Sequence, residues 1–354
     1  MNAKENTRCM IINHVRRYPA LEIRDVFKFL HQSSFGCEHL VSSCENAISY
    51  IKKEAESLRD TGTTVVEPLD GDYCRVHLSL LSHGISAETL GRLFFLSAKK
   101  EEQGIESLKA KLAVAKELCE SGEIPFSAEE FASLADKWEA NGFGAIHHSE
   151  AFRNNYHPAY RVISNEYASF LLLFAEIDKG LSKGELRLAI DGGSASGKTT
   201  LAAILERVYE CTVLHMDDFF LRPEQRTPER FAEIGGNVDR ERFLAEVLVP
   251  LSLGMTVSYR KFDCSTFTLT PPTLIEPTPL TVIEGAYSMH PDLSDYYDLS
   301  VFLDITPELQ RERILKRNSP KMAERFFNEW IPLEKVYFEK LNVKERCDVG
   351  INVR

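Results

Sequence analysis

One eight-residue stretch constrains the fold of this 354-residue chain more than any other part of the sequence. The letters GGSASGKT at residues 192–199 satisfy the pattern G-x-x-x-x-G-K-[ST]. Residues 186–190 before the stretch form a short apolar run, and residues 198–209 after it have the spacing of a helix. Because a phosphate-binding loop requires this order of strand, loop and helix, the sequence predicts such a loop here.

The predicted loop has a clear chemistry. Glycines let its backbone bend sharply, so that several N–H groups point at phosphate oxygens near the positive end of the following helix. Lys198 adds a positive charge for the β- and γ-phosphates, and Thr199 offers a hydroxyl group to Mg²⁺. We therefore expect ATP and Mg²⁺ as cofactors. The residues expected to hold the nucleotide are Gly192, Gly193, Ser194, Ala195, Ser196, Gly197, Lys198, Thr199 and Thr200.

The two halves of the chain differ in pattern, which predicts a domain at residues 1–180 and another at 185–354. In the first, residues 46–59 and 105–120 have helical spacing, and Ser127 with an acid three residues later is a capping signature, so we expect mostly helices. In the second, short apolar runs alternate with amphipathic stretches, which is typical of a parallel sheet flanked by helices. The five predicted strands are residues 186–190, 212–216, 280–283, 299–303 and 349–353.

Composition excludes several classes of protein. Acidic residues outnumber basic ones by 53 to 42, and neither half is basic, which argues against nucleic-acid or anionic-lipid partners. No apolar run reaches the roughly 18 residues that a membrane span needs, and the chain does not begin like a secretory signal. The eight cysteines contain no Cys-x-x-Cys pair, so we expect free thiols. A cytoplasmic protein that acts on a small molecule is the resulting expectation.

Carboxylates follow two of the predicted strands. Asp217 comes directly after residues 212–216, and Glu284 directly after residues 280–283. Since ligands gather at the carboxyl ends of parallel strands, both side chains are expected beside the phosphate loop. Asp217 can take a proton from an attacking hydroxyl or help to hold the metal, and Glu284 can bind Mg²⁺ together with Thr199. The alternatives are a helix cap at Asp217 and a solvated strand end at Glu284.

Cations near the C-terminus are candidates for a lid. Arg313 and Arg317 lie four residues apart in the predicted helix 307–317, where they share a face, and Arg325 follows shortly afterwards. Arginines can stabilise the negative charge that spreads over phosphate oxygens during transfer. We expect Arg313 and Arg317 to act in catalysis, while a solvated basic face remains the alternative.

From residue 186 onward the chain resembles the uridine kinase-like branch of the phosphate-loop kinases. The resemblance rests on the loop, on residues 217–220 (DDFF), on 237–239 (NVD), on 282–285 (VIEG) and on the arginines of helix 307–317. It implies a P-loop kinase fold and transfer of the γ-phosphate of ATP to a ribose 5′-hydroxyl, most directly that of a nucleoside such as uridine or cytidine.

The resemblance also implies roles for single residues. The implied roles are a base at Asp217, a sugar-hydroxyl partner at Asp239, a metal residue at Glu284 and lid groups at Arg313, Arg317 and Arg325. Three departures bear on the acceptor. Phe220 replaces the family's usual Tyr, the family's hairpin His is replaced by Arg260 and Lys261, and the N-terminal half has no counterpart in ordinary uridine kinases. The two cations suit an anionic acceptor.

Residues 256–263 and 268–277 look like a hairpin inserted over the site. Uridine kinases use such a hairpin to hold the base. On this resemblance Tyr259 and Phe262 can stack on a ring, and Asp263 can bind a polar edge. Apolar packing of the two aromatic side chains is the alternative.

The N-terminal half contains eight of the ten histidines. Residues 152–161 are dense in aromatic and hydrogen-bonding groups, which suit a ligand site, a contact with the other half or a hydrogen-bonded linker. Residues 32–39 are similarly undecided. His147 and His148 belong to no His-x-x-x-His or Cys/His module, so the sequence gives little support for metal there. It predicts no function for this half.

Several functional alternatives stay open. The kinase acceptor can be another hydroxylated metabolite, such as a pantothenate-like compound or a sugar phosphate. The P-loop half can also be a nucleotide-gated switch for a partner of the N-terminal half, or residues 1–180 can form a second enzyme that acts on the same metabolite. The oligomeric state is open, with a homo-oligomer among the options.

Overall fold

A computed structural model describes residues 2–37, 43–58, 65–98 and 104–353. The chain divides into two compact units, Met1–Glu176 and Ile177–Arg354. None of the helices within the described ranges combines the length and the apolar composition that crossing a membrane requires.

The N-terminal unit is mainly helical, as predicted. Ser127 begins one helix by accepting a hydrogen bond from the Glu130 N–H at 3.3 Å, in agreement with the capping signature. Of the segments singled out above, residues 38, 39 and 59 lie outside the described part of the chain. The helices are α1 (Ala3–Arg17), α2 (Ile23–Phe35), α3 (Cys44–Ala55), α4 (Ala87–Leu96), α5 (Gly104–Glu120), α6 (Ala128–Ala140), α7 (Glu150–Tyr156), α8 (Asn165–Ala168) and α9 (Leu171–Leu181), in which the unit boundary falls.

This unit also contains a three-stranded antiparallel sheet that the sequence did not predict. Its strands are β1 (Val66–Pro68), β2 (Tyr73–His77) and β3 (Tyr160–Ser164), in the order β1-β2-β3. All five residues of β2 are buried, including Arg75 and His77. Because polar side chains occupy buried positions, β2 lacks the alternation of apolar and polar residues by which a strand is predicted.

The C-terminal unit is built on a five-stranded parallel sheet, which confirms the predicted fold class. The order of its strands is β12-β11-β4-β10-β5. Two further antiparallel pairs, β6 with β9 and β7 with β8, form the hairpin expected between residues 256 and 277. The strands are β4 (Leu186–Gly192), β5 (Thr212–His215), β6 (Val257–Tyr259), β7 (Phe262–Asp263), β8 (Thr268–Leu269), β9 (Thr273–Ile275), β10 (Leu280–Glu284), β11 (Leu299–Asp304) and β12 (Val349–Asn352).

Helices connect these strands, and two of them have the predicted limits. The helices are α10 (Lys198–Tyr209), α11 (Pro228–Ala232), α12 (Arg240–Phe243), α13 (Val249–Ser252), α14 (Pro291–Ser294), α15 (Pro307–Arg317), α16 (Pro320–Arg325), α17 (Ile331–Lys340) and α18 (Val343–Arg346). In the parallel register, Glu284 at the end of β10 lies opposite Ile190 of β4 on one side and His215 of β5 on the other. The carboxyl ends of the three strands therefore lie at one edge of the sheet.

Gly285 provides a test of how closely β10 approaches its neighbour. It has φ +145°, and a Cβ atom there would lie 2.5 Å from the Cβ of Met216. Gly184 has the same φ and no neighbouring atom within 4 Å, so it is a matched control. Alanine strains the backbone at both positions, and only at 285 does it also clash. We predict that Gly285→Ala lowers the free energy of unfolding by about 1–3 kcal/mol more than Gly184→Ala, measured by urea denaturation. Equal losses would contradict the close packing.

Candidate active site

The predicted phosphate loop joins β4 to α10. Gly192 has φ +145°, and a Cβ atom there would lie 2.5 Å from the carbonyl oxygen of Leu303, so only glycine fits without a shift of the backbone. Gly197 has φ +100° at the start of α10. The Nζ of Lys198 donates to the carbonyl oxygens of Gly192 and Gly193 at 2.8 and 3.1 Å. The loop thus places an ammonium group against its own backbone at the amino end of a helix.

An oxygen pair suited to Mg²⁺ lies beside the loop. The hydroxyl group of Thr199 donates to Oε1 of the buried Glu284 at 3.1 Å. A hydroxyl and a carboxylate are the hard oxygen ligands that Mg²⁺ prefers, and Mg²⁺ commonly completes its shell with water and phosphate oxygens. The described residues contain no group of three or more His, Cys, Asp or Glu side chains placed to hold a metal. The two side chains therefore fit a magnesium site.

His215 also contacts this carboxylate. Its Nδ1 lies 2.6 Å from Oε1 of Glu284, the same oxygen that Thr199 contacts. The hydrogen bond to Glu284 raises the pKa of His215. The sequence patterns did not predict a role for His215. Its position at the end of β5, on the strand next to Glu284, could have indicated one.

Asp217 lies in the 3-10 turn Met216–Phe219 that follows β5. Asp217 is exposed to solvent, but the protein around its carboxyl group desolvates it enough to raise its pKa. The charge of Lys198 acts on the same carboxyl group to lower its pKa, and the charge of Glu284 acts to raise it. Asp217 is therefore within electrostatic reach of both the loop lysine and the candidate metal residue.

Asp218 anchors the hairpin to the turn. Its carboxylate accepts a hydrogen bond from the hydroxyl of Tyr259 at 2.9 Å and pairs with Nζ of Lys261 at 3.0 Å. The Tyr259 ring is 3% exposed and stacks on Phe219, with ring centroids 5.2 Å apart. Tyr259 thus packs against the protein, as the packing alternative anticipates.

A cation from outside the hairpin lies against two aromatic rings near its tip. The guanidinium carbon of Arg226 lies 5.4 Å from the ring centroid of Phe262 and 5.2 Å from that of Phe267. Asp263 accepts hydrogen bonds from the backbone N–H and the hydroxyl of Ser265 at 2.7 and 2.6 Å. Phe262 and Asp263 therefore both have protein partners.

Asp239 is 2% exposed and lies behind the Asp217 turn. Its carboxylate accepts hydrogen bonds from the N–H of Arg242 at 3.2 Å and from Nε2 of Gln225 at 2.9 Å. Its own N–H donates to the carbonyl oxygen of Phe219 at 2.7 Å. These bonds tie the start of α12 to the turn that holds Asp217.

The three expected lid arginines have different surroundings. Arg313 donates from Nη1 to the carbonyl oxygen of Ala195 at 3.2 Å, so it contacts the loop. The guanidinium carbon of Arg317 lies 6.0 Å from the ring centroid of Phe326. Arg325 pairs with Glu329 at 3.1 Å. Of the three, only Arg313 is brought to the loop.

Glu334, on α17, supports the phosphate loop and was missed from the sequence. Its two carboxylate oxygens accept the N–H of Ser194 at 2.9 Å and the hydroxyl of the same residue at 2.6 Å. The side-chain amide of Gln310 donates to the carbonyl oxygen of Ser194 at 2.9 Å. Burial raises the pKa of Glu334. No motif surrounds Glu334 in the sequence, so nothing local signalled this contact.

Asp191, directly before the loop, is a second support that was missed. It is fully buried and accepts hydrogen bonds from the N–H groups of Gly192 and Met289 at 2.7 and 3.0 Å. The hydroxyl of Tyr337 donates to it at 2.7 Å. Burial raises the pKa of Asp191. Its position directly after the apolar run 186–190 could have predicted a role beside the loop.

The raised pKa of Asp217 predicts how its loss affects stability. A carboxyl group whose pKa is raised by folding binds its proton more tightly in the folded state, so its contribution to the free energy of unfolding falls as the pH rises through the folded-state pKa. Asparagine does not titrate. We predict that Asp217→Asn gains stability relative to wild type between a pH near 3.8, the ordinary aspartate pKa, and neutral pH, measured by urea denaturation.

Asp263→Asn is the control with the opposite sign, because hydrogen bonds from Ser265 lower the pKa of Asp263. A lowered pKa gives stability that grows as the pH rises from the folded-state pKa to the unfolded-state value, so this variant loses stability relative to wild type as the pH rises to about 3.8, and little changes from there to neutral pH. A loss for Asp217→Asn as the pH rises would contradict the crowding of carboxylates around the loop.

Comparison with known proteins finds similarity in the C-terminal unit. Residues 188–325 match the sequence model of the Phosphoribulokinase / Uridine kinase family. A possible uridine kinase from Bacillus stearothermophilus is 23% identical, covering 51% of this chain and 98% of its own, with a TM-score of 0.39. A putative fructose transport system kinase from Silicibacter sp. TM1040 is 19% identical, covering 47% and 89%, with a TM-score of 0.39. The family match leaves the N-terminal unit unassigned, and together with the five-stranded parallel sheet it shows that the C-terminal unit has a P-loop kinase fold.

Proposed function

We propose that the C-terminal unit transfers the γ-phosphate of ATP, bound with Mg²⁺, to a hydroxyl group of a small metabolite. The observation that carries the proposal is the convergence of Lys198, Thr199, Glu284 and Asp217 at one edge of the parallel sheet. The family resemblance implies a nucleoside such as uridine or cytidine as the acceptor, so nucleosides are the first acceptors to test.

The loop residues bind the nucleotide in this proposal. The backbone N–H groups of residues 192–200 and the ammonium group of Lys198 hold the phosphates, and Thr199 and Glu284 would hold the metal ion. Bound Mg²⁺ supplies neutralisation of charge on the phosphate oxygens. Glu334 and Gln310 fix the backbone of Ser194 from the other side, which keeps the loop in the shape that binds phosphate.

Asp217 moves the proton. The acceptor oxygen forms a bond to the γ-phosphorus, the bond from phosphorus to ADP breaks, and the hydroxyl proton passes to the Asp217 carboxylate. A pKa above the ordinary aspartate value makes this carboxylate a stronger base. Arg313 stabilises charge at the loop, and closure of α15 and α16 would bring Arg317 and Arg325 to the transferred group. By the family resemblance, Asp239 would bind a sugar hydroxyl of the acceptor after exchanging its present bonds to Gln225 and Arg242.

Removal of the base tests the reaction. We predict that Asp217→Asn lowers turnover about 10²- to 10⁴-fold, because a positioned general base contributes that much, while ATP binding is retained. ADP release with uridine, cytidine and a panel of hydroxylated metabolites is the measurement. Asp295→Asn, an exposed aspartate of the same unit, is the control and should keep wild-type turnover. Wild-type turnover of Asp217→Asn with the best acceptor would remove the assignment.

One observation favours an acceptor that carries an anionic group, such as a sugar phosphate or a pantothenate-like acid. Arg226 forms no ion pair with a carboxylate of the described residues. The charges of Arg226 and Asp217 both act on the pKa of Cys264, so both residues are within electrostatic reach of the same hairpin position. A cation held against two aromatic rings and without a carboxylate partner suits a phosphate or carboxylate group of the acceptor.

A variant of Arg226 separates the two classes of acceptor. If the acceptor is anionic, Arg226→Gln raises its KM by about tenfold or more, because a hydrogen bond to a charged group contributes about 1.5–3 kcal/mol. Arg207→Gln, an exposed arginine on α10, is the matched control. KM for each acceptor of the panel is the measurement. An unchanged KM together with a preference for uridine or cytidine would exclude the anionic class.

A further inference from the structure

The N-terminal unit contains a hydrogen-bonded chain of three side chains that the kinase reaction does not use. Oδ1 of the fully buried Asp25 lies 2.8 Å from Nδ1 of His148, and Nε2 of His148 lies 2.6 Å from the hydroxyl oxygen of Tyr160. His148 is buried and stacks on Phe152 with ring centroids 4.1 Å apart. Tyr160, at the start of β3, is partly exposed. The three residues come from separate parts of the sequence.

The hydrogen bonds determine which atoms of Asp25, His148 and Tyr160 carry protons. Asp25 also accepts the N–H groups of Glu22 and Ser149 and the hydroxyl of Ser149, at 2.9, 3.0 and 2.6 Å. The bonds to His148 and Ser149 outweigh burial and hold the pKa of Asp25 at about 2, so it is ionised. An ionised carboxylate only accepts, so Nδ1 of His148 is the donor and Nε2 is free to accept the Tyr160 proton.

Both charges that proton transfer would create have partners. Transfer from Tyr160 to His148 forms an imidazolium beside Asp25 and a phenolate beside one hydrogen-bond donor and one positive charge. Nε2 of Gln32 lies 3.3 Å from the Tyr160 oxygen, and the guanidinium carbon of Arg75 lies 4.7 Å from its ring centroid. Burial lowers the pKa of His148 to about 4 and raises that of Tyr160, so both are neutral at rest. The proton therefore moves only as the tyrosine oxygen reacts, as in a Ser-His-Asp triad.

Two cations near the Asp25–His148–Tyr160 hydrogen bonds are incompletely paired. Asp25, Lys28 and Gln32 lie three and four residues apart along α2 and share a face. Nζ of the partly exposed Lys28 donates to the carbonyl oxygen of Ile146 at 2.9 Å, and the charge of Asp25 acts on it, but it forms no ion pair within 4.0 Å with a carboxylate of the described residues. Arg75 is 1% exposed, pairs with Glu67 at 3.3 Å and donates to Oε1 of Gln32 at 2.9 Å, while its Nη2 has no hydrogen-bond partner within the described part of the chain. Lys28 is thus the cation that a ligand's anionic group can reach.

A purely structural role explains less of this arrangement. Buried charges that only join helices to a sheet can be replaced by apolar residues without loss of stability, and a buried donor without a partner is costly. Neither a lysine without an ion pair nor a partly exposed phenol on a histidine base is needed to hold α2 against β2 and β3. Each of these features has a use if a ligand binds there.

We propose that Asp25, His148, Tyr160, Gln32, Arg75 and Lys28, called here the relay cluster, form a second site that binds a small organic anion through Lys28 and exchanges a proton with it through Tyr160. The ligand is a carboxylate- or phosphate-bearing metabolite with a hydroxyl group. The ligand's hydroxyl proton passes to the Tyr160 oxygen while the phenol proton passes to His148, and the reverse steps restore the cluster. This site is independent of the proposed kinase acceptor.

The reactivity of Tyr160 is tested with the full chain and phenylmethylsulfonyl fluoride. The Tyr160 oxygen attacks sulfur, the S–F bond breaks, fluoride leaves and the phenol proton passes to His148. Mass spectrometry after digestion measures the labelling rate of each tyrosine. Tyr50, which is 69% exposed, is the internal control. We predict that Tyr160 reacts at least about tenfold faster than Tyr50 and that His148→Gln slows Tyr160 alone by about 100-fold.

Anion binding is tested by protection from the same label. Inorganic phosphate and malate are added separately, which distinguishes a phosphate from a carboxylate ligand. We predict that one of them slows labelling of Tyr160 and that Lys28→Gln removes the protection, while Lys53→Gln, an exposed lysine of the same unit, does not. Circular dichroism melts verify that each variant is folded.

Two results would overturn the proposal. Labelling of Tyr160 no faster than that of Tyr50, or unchanged in a folded His148→Gln protein, would show that the relay cluster is a structural network. Fast labelling that neither phosphate nor malate slows would show that the site does not bind a small anion.

Discussion

The parallel register of β4, β10 and β5 sets the geometry on which the candidate active site depends. Glu284 at the end of β10 lies between Ile190 of β4 and His215 of β5. The loop leaves β4 and the Asp217 turn leaves β5 at the same edge. Because a one-residue slip would turn every side chain to the opposite face, a single register brings the loop, the oxygen pair and the base together.

This edge concentrates acidic groups at some cost in stability. Burial raises the pKa of Asp191, Asp217 and Glu334, and the charge of Lys198 acts on all three to lower it. The lysine is therefore the common counter-charge of the site. Functional sites often keep such unfavourable arrangements, because the groups that react must be only partly satisfied in the resting protein. Asp191 and Glu334 hold the loop in place through their hydrogen bonds to Gly192 and Ser194.

The sequence predicted the parts of the structure that depend on neighbours along the chain. The loop, the five parallel strands and the limits of α10 and α15 all follow from local patterns. Contacts between distant positions could not be read in this way. Glu334 meets Ser194 across 140 residues, and the strand β2 hides a buried arginine that breaks the expected alternation. Likewise, the sequence left open whether Tyr259 packs on the protein or on a ligand, because an aromatic side chain suits both.

The central claim is that the phosphate loop and the Asp217 carboxylate act on one acceptor hydroxyl. A crystal structure with Mg²⁺, a non-hydrolysable ATP analogue and the best acceptor of the panel tests it most directly. The account predicts that an Asp217 carboxylate oxygen lies within about 2.6–3.2 Å of the acceptor hydroxyl, with that hydroxyl in line with the γ-phosphate. A nucleotide bound at the loop with the acceptor hydroxyl away from Asp217, and bonded to a different base, would contradict it.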